Sequence, residues 1–486
     1  MLKFRKRTSP WSWFGGITAI LVVFLVWQFI AFQFAMTRMP AGWTISGADV
    51  AGLSYQQAVS QVGETLTQKP VQLGYLDQQI SLNPAAIDVS FNPTQTLEAV
   101  VLARDASGDA RGFLTYIVRR APPPQDVPAS LSWSDEKLRA YLTQVAGQYD
   151  LRPQSPSPIL EGLRMAPGRA GHELDISASV PNVAISIASA DANRRTATLT
   201  VKTVPPPPPP LSTLDNLIQV SLRDFRGLAG VFIKDLASGE EYGINDDVAF
   251  SGMGVIKLAI MVEIYHKHIH VSESDARLIE EMITTESGNG AANALLQKLG
   301  NGDAYAGAKD FLTPAMKYLG LVNTFAVIPY DQNAAPLVVI TPANSRTDIS
   351  TAPDPKMQTT PRDVGLLLDM IYGCSKGGGT LLVAYPNAFT PDECQDMLDT
   401  LARNPLNDRS GKAAYLGSGL PEGVHLARKY SWSEKVRADA GIVFSPGRDY
   451  VLVVFLYVPA GGEWEQVNPI FQGVSQAAYN FFNSGQ

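Results

Sequence analysis

Cysteine is nearly absent from this chain of 486 residues: Cys374 and Cys394 are the only two. No histidine lies near either in sequence, which argues against a catalytic thiol. The pair is either one disulfide closing a local loop, worth about 3 kcal/mol if unstrained, or two buried thiols. Excess positive charge is also lacking. The formal net charge is −7, and Lys3, Arg5, Lys6 and Arg7 place four cations at the extreme N-terminus, so the remaining body is more acidic still. An acidic body excludes nucleic acid as the expected partner. Proline, in contrast, is abundant, and the length calls for two to four domains rather than one core.

The four basic residues precede an apolar run from Ile17 to Phe32. With its flanks this run reaches roughly the 20 residues that cross a bilayer as a helix, and Trp11, Trp13 and Trp27 suit the membrane interfaces. The positive flank is expected to stay in the cytoplasm, which puts residues 40–486 outside. A cleaved signal peptide is the rival reading, but no clear small-x-small site follows the run. The expectation is an uncleaved single-pass anchor in the cell membrane over residues 1–39.

Six consecutive prolines, Pro205 to Pro210, predict a stiff polyproline linker. A weaker break at Ala121-Pro122-Pro123-Pro124 divides the first half, giving segments 40–121, 125–204 and 211–486. Trp43-Thr44-Ile45 and Val71 to Tyr75 read as strands, and Ser54 to Thr67 as a helix with Ser54 as its N-cap. Ser134 to Gln148 reads as a second helix, and Thr196 to Val204 as a terminal strand. The stretch Gly42 to Ser54, with Ala58 on the following helix, resembles the opening of the peptidoglycan-binding domains of membrane-anchored bacterial wall proteins. Pro167-Gly168-Arg169-Ala170-Gly171-His172-Glu173-Leu174-Asp175-Ile176 is similar to the later part of that domain. The resemblance implies α+β modules and peptidoglycan as a partner.

The third segment contains Leu228 to Gly239 as a strand and turn, the frame Phe250-Ser251-Gly252-Met253-Gly254-Val255-Ile256-Lys257, Glu286-Ser287-Gly288-Asn289 before a helix, and Ala427-Arg428-Lys429-Tyr430-Ser431-Trp432 before the strand Tyr450 to Tyr457. In this order they resemble the Ser-x-x-Lys, Ser-Asp-Asn and Lys-Thr-Gly elements of a class A β-lactamase-like or penicillin-binding domain. The implied architecture is a C-terminal α/β domain with an antiparallel sheet and a helical subdomain. The whole chain is then multidomain, with a transmembrane helix and α+β modules before it.

The resemblance also exposes what the site lacks. Acyl transfer needs a nucleophile, a base and an oxyanion hole, and Gly254 stands where the resemblance expects the serine. The backbone N–H of Gly254 remains available as half of an oxyanion hole. Lys257 keeps the amine, whose pKa a desolvated pocket would lower. Ser287 and Asn289 keep two positions of their triplet, whereas Gly288 replaces the aspartate. Lys429 keeps the carboxylate-anchoring cation, with Ser431 in place of the glycine that lets a ligand approach the strand. Lys429 and Ser431 are the expected ligand contacts. No glutamate occurs from Ser287 through Asp392, where some class A enzymes carry the one that deacylates. Ser251 lies outside the Ser-x-x-Lys register, and nothing visible activates Ser287.

His266, His268 and His270 invite a metal reading, but only His266 and His270 would share a helix face, and two ligands make a poor site. Neither metal nor cofactor is expected. The expected function is non-catalytic binding or scaffolding at peptidoglycan, with peptide stems or other envelope proteins as partners. The alternative is a working serine hydrolase of the penicillin-interacting class, a D,D-peptidase or β-lactamase.

Overall fold

The computed structural model describes residues 10–105, 110–119, 123–267, 271–285, 287–335, 337–405, 414–461 and 464–484. The four basic N-terminal residues, Glu286, His268 and His270 lie outside them. The chain divides into two compact units, Met1–Pro153 with Ala170–Pro205, and Gln154–Arg169 with Pro206–Gln486.

The first unit opens with α1 (Pro10–Met36), in which Ile17–Met36 is long and apolar enough to cross a membrane. β1 (Trp43–Ile45) and β2 (Ala48–Asp49) form a tight hairpin before α2 (Tyr55–Gln68). Ser54 caps α2 reciprocally with Gln57: its hydroxyl accepts from the Gln57 amide, and the Gln57 side chain accepts from the Ser54 N–H. β3 (Val71–Tyr75) pairs antiparallel with β4 (Gln78–Leu82). After α3 (Pro93–Asp105) and α4 (Ala110–Ile117), β5 (Gln125–Val127) returns parallel to β1. Ser134 caps α5 (Asp135–Tyr149).

The terminal strand expected over 196–204 is two strands. Between them, Thr200 leaves the ladder: its N–H donates to Ser179 Oγ (2.9 Å) and its carbonyl accepts from the Asp175 N–H (2.8 Å). Asp175 and Ser179 belong to the start of a helix that the sequence reading did not anticipate. It follows β6 (Gly171–Leu174) as α6 (Ile176–Ala188), capped by Asp175. The split lets β7 (Thr196–Thr198) join β3 in parallel while β8 (Val201–Val204) pairs with β6.

The second unit is built on a five-stranded antiparallel sheet. α7 (Leu214–Leu222) leads into β9 (Leu228–Asp235), which turns back through β10 (Glu241–Ile244). The sheet is completed by β11 (His425–Trp432), β12 (Val436–Phe444) and β13 (Tyr450–Tyr457), in the order β10-β9-β13-β12-β11. Helices cover both faces, so the central strand is apolar on both. Val451, Val453 and Phe455 of β13 point into one core, and Tyr450, Leu452, Val454 and Leu456 into the other, where α7 and the C-terminal helix Trp464–Phe482 pack. The hairpin of strands Ser157–Ile159 and Arg164–Ala166 belongs to this unit, not to the 125–204 segment in which the sequence places it. Its Leu163 and Met165 pack on the second core, and the Leu163 carbonyl accepts from Asn480 Nδ2 (2.7 Å).

Candidate functional site

The core of the helical part is α8 (Lys257–Lys267), buried on every side from Lys257 through Tyr265. A 3₁₀ turn, Met253–Ile256, feeds it, so that Lys257 stands one turn beyond Gly254. Met253 has a left-handed backbone (φ 45°), costly for a bulky side chain, and the Tyr330 hydroxyl steadies it by donating to the Met253 carbonyl (2.7 Å).

Gly254 faces the edge strand β11. Its N–H, the expected oxyanion donor, is already engaged: it donates to Ser431 Oγ at 2.7 Å. A Cβ placed on residue 254 would lie 3.2 Å from that oxygen and 3.4 Å from Ser431 Cβ. The space beside residue 254 is therefore partly filled by Ser431. A serine at 254 would need Ser431 to give way by a few tenths of an ångström.

The Lys257 ammonium donates to the backbone carbonyl of Ser287, not to its hydroxyl. Burial lowers its pKa to about 8, against the opposing pull of the Asp331 carboxylate. Lys429 alternates with Ser431 on the same face of β11. It is 1% exposed and does not line the cleft, contrary to the expectation that it meets a ligand directly. Burial, followed by the positive charge of Lys257, lowers its pKa to about 7, with Asp439 opposing. On the other face, Arg428 is held by a buried ion pair with Asp439 (2.8 Å).

Gly288 explains itself by geometry. Its φ is +52°, and a Cβ there would sit 2.8–2.9 Å from the carbonyl oxygens of Met282 and Glu281, so no side chain fits at the start of α9 (Asn289–Leu299). Asn289 Nδ2 donates to the Asp331 carboxylate (3.0 and 3.2 Å). One turn on, Asn293 clasps the Tyr330 backbone, accepting from its N–H (2.8 Å) and donating to its carbonyl (2.9 Å).

These elements enclose a cleft of about 620 Å³ into which Gly254, Lys257, Ser287, Asn289 and Ser431 all open. Sequence reasoning missed Tyr330, Asp331, Asp354, Lys356 and Trp432, which also line it. Four of these five fall in the irregular stretch 327–360, where no periodicity guides a reading; Pro329-Tyr330-Asp331 and Asp354-Pro355-Lys356 were the only signals. The charged lining comprises Lys257, Lys356, Asp331 and Asp354, so the cleft presents both signs.

The sequence of the second unit matches the family model described as "Beta-lactamase enzyme family" over residues 212–270 and 270–482, more than half of the chain. The chain belongs to the β-lactamase enzyme family. Among solved structures, an acyl-enzyme complex of a PBP-A mutant with penicillin G aligns at 23% identity over 57% of this chain and 99% of that one, with a TM-score of 0.42. A mutant of the class A β-lactamase of the last common ancestor of Gram-negative bacteria aligns at 21% over 56% and 98% (0.41). A β-lactamase from Sphaerobacter thermophilus aligns at 18% over 56% and 97% (0.40). No curated protein has a sequence that matches the chain.

In this β-lactamase-family chain, Cys374 and Cys394 are bonded, with Cα atoms 5.8 Å apart. His266 is occupied with packing: Nδ1 is 3.1 Å from Glu263 and the ring stacks on Tyr385 at 3.7 Å. Among the described residues no group of three or more His, Cys, Asp or Glu side chains could hold a metal ion.

Proposed function

We propose that this protein is a single-pass, membrane-anchored cell-wall protein whose β-lactamase-like domain lies outside the cytoplasm and binds peptidoglycan stems without cleaving them. One observation carries the reading. At the place of the expected nucleophile stands Gly254, whose N–H is satisfied by the hydroxyl of Ser431, while the Lys257 amine is turned to a backbone carbonyl. Base and oxyanion donor are thus engaged with other partners, and residue 254 offers no hydroxyl. Loss of a serine nucleophile costs on the order of 10⁶ in turnover. Cationic and anionic groups in one cleft suit a zwitterionic peptide. The apolar stretch Ile17–Met36 supports the anchor, and the Cys374–Cys394 disulfide suits an oxidising compartment. The resemblance of residues 40–204 to wall-binding modules supports the same partner; other envelope proteins are the alternative one. Under this reading the soluble ectodomain pellets with purified sacculi and releases no D-alanine from stem peptides. Turnover that disappears in Lys257→Ala would overturn it.

A second reading, a working serine hydrolase, has one observation in its favour. Ser431 Oγ occupies the space beside Gly254, on the strand that carries the low-pKa Lys429 amine. It requires Ser431 to become acylated, which peptide mapping after exposure to a penicillin would detect.

A further inference from the structure

Within the first unit, the span-like helix α1 does not stand clear of the fold. Phe113 of α4 packs edge-on against Phe29 of α1, with ring centroids 5.5 Å apart. Phe113 and Tyr116 also close on Phe32, at 5.5 and 5.4 Å, leaving Phe32 buried. The end of α3 reaches the same region, where Arg104 Nη2 donates to the Ala35 carbonyl (3.2 Å) and Tyr55 donates to that of Met36.

The depth of these contacts decides what surrounds α4. At 1.5 Å per residue, the 20 residues Ile17–Met36 span about 30 Å, the thickness of a hydrocarbon core. Phe32 and Phe29 lie about 6 and 10 Å inward from Met36 along the axis. With Ile17–Met36 as the span, a helix touching both rings lies at the membrane interface and not in water above it. The remaining surface of α4 and of the turn after it agrees: Leu114 and Val118 are 62% and 70% exposed. The sequence 110–120 carries Arg111, Arg119 and Arg120 and no acidic residue, a charge that suits lipid phosphates.

We propose that α4 is a second membrane contact, an amphipathic helix lying in the interface of the leaflet that α1 enters from the Met36 side, its aromatic face on α1 and Leu114 and Val118 in the acyl region. The inference rests on the reading of α1 as a membrane anchor. Such a seat would fix the tilt of the first unit on the bilayer instead of leaving it to swing on one helix.

The test uses full-length protein in vesicles of phosphatidylcholine and phosphatidylglycerol. Single cysteines at Leu114→Cys, Val118→Cys and, inside the span, Val23→Cys receive an environment-sensitive fluorophore; the two native cysteines are held in their disulfide. Vesicles with lipids brominated high on the acyl chain should quench positions 114 and 118, relative to unbrominated vesicles, and deep bromines should quench position 23. Quenching at 23 with none at 114 and 118 overturns the interfacial helix and leaves the anchor intact. No quenching at 23 overturns the anchor and the helix contact with it. Two independent label sites guard against one variant that fails to fold.

Discussion

Residues 254 and 431 must be considered together, because each fills what the other lacks. Gly254 has no hydroxyl, and Ser431 places one against its amide. Restoring the nucleophile alone should be hampered: Gly254→Ser meets Ser431 at about the distance where a neighbour must yield, so a penicillin adduct should form more slowly on Gly254→Ser than when Ser431→Gly accompanies it. Lys429 supplies a second test at this scale. Below about pH 7 it is protonated in both the folded and the unfolded chain, and the fold bears the full cost of a buried ammonium. As pH rises past 7, the folded amine sheds its proton while the unfolded one holds it towards 10.5, so stability from this group rises with pH. Lys429→Met should raise the melting temperature most near pH 6, with the gain shrinking by pH 9, and a gap independent of pH would contradict the assignment. The identities at 254, 257, 287, 289, 429 and 431 were legible because each sits at a fixed offset in a motif. That the Gly254 N–H is spent on Ser431 was not legible, since hydrogen bonds between residues 177 apart leave no local pattern.

Among the elements, β11 contributes Tyr430, Ser431 and Trp432 to the cleft. Ser431 opens into the cleft and Lys429 lies buried on the same face, while Arg428 anchors the opposite side through Asp439 and the Ala414 carbonyl. Asp439→Ala leaves a buried guanidinium uncompensated, and denaturant melts should show a loss of about 3–5 kcal/mol. Gly288→Ala should also destabilise, by more than about 1 kcal/mol, since it combines a left-handed backbone with a clash against two carbonyls. Strands and caps with strong local signals, such as β13 and the Ser54 N-cap, could be read from the sequence. The Thr196–Val204 strand could not, because its break depends on Thr200 bonding to Ser179 and Asp175 across the fold. Residues 327–360 yielded no site residue for a related reason: they are held by side-chain clasps such as Asn293 to Tyr330, not by a repeating pattern.

At the scale of the molecule, a β-lactamase-family unit follows an N-terminal unit that begins with a span-like helix, and the Cys374–Cys394 bond ties two helices of the former, Pro361–Ser375 and Pro391–Ala402. Replacing both cysteines with serine should lower the stability of this unit by about 3 kcal/mol, seen as a lower denaturation midpoint. The assignment of the hairpin 154–169 to the second unit was hidden from sequence because its contacts are long-range: Leu163 accepts from Asn480, more than 300 residues away. The proposed loss of attack chemistry in a cleft that keeps its shape is tested most directly by the intact mass of the protein after incubation with a penicillin, beside the Gly254→Ser/Ser431→Gly variant. The account predicts no mass increase on the natural sequence and a covalent adduct on the double variant. An adduct on the natural sequence would contradict it.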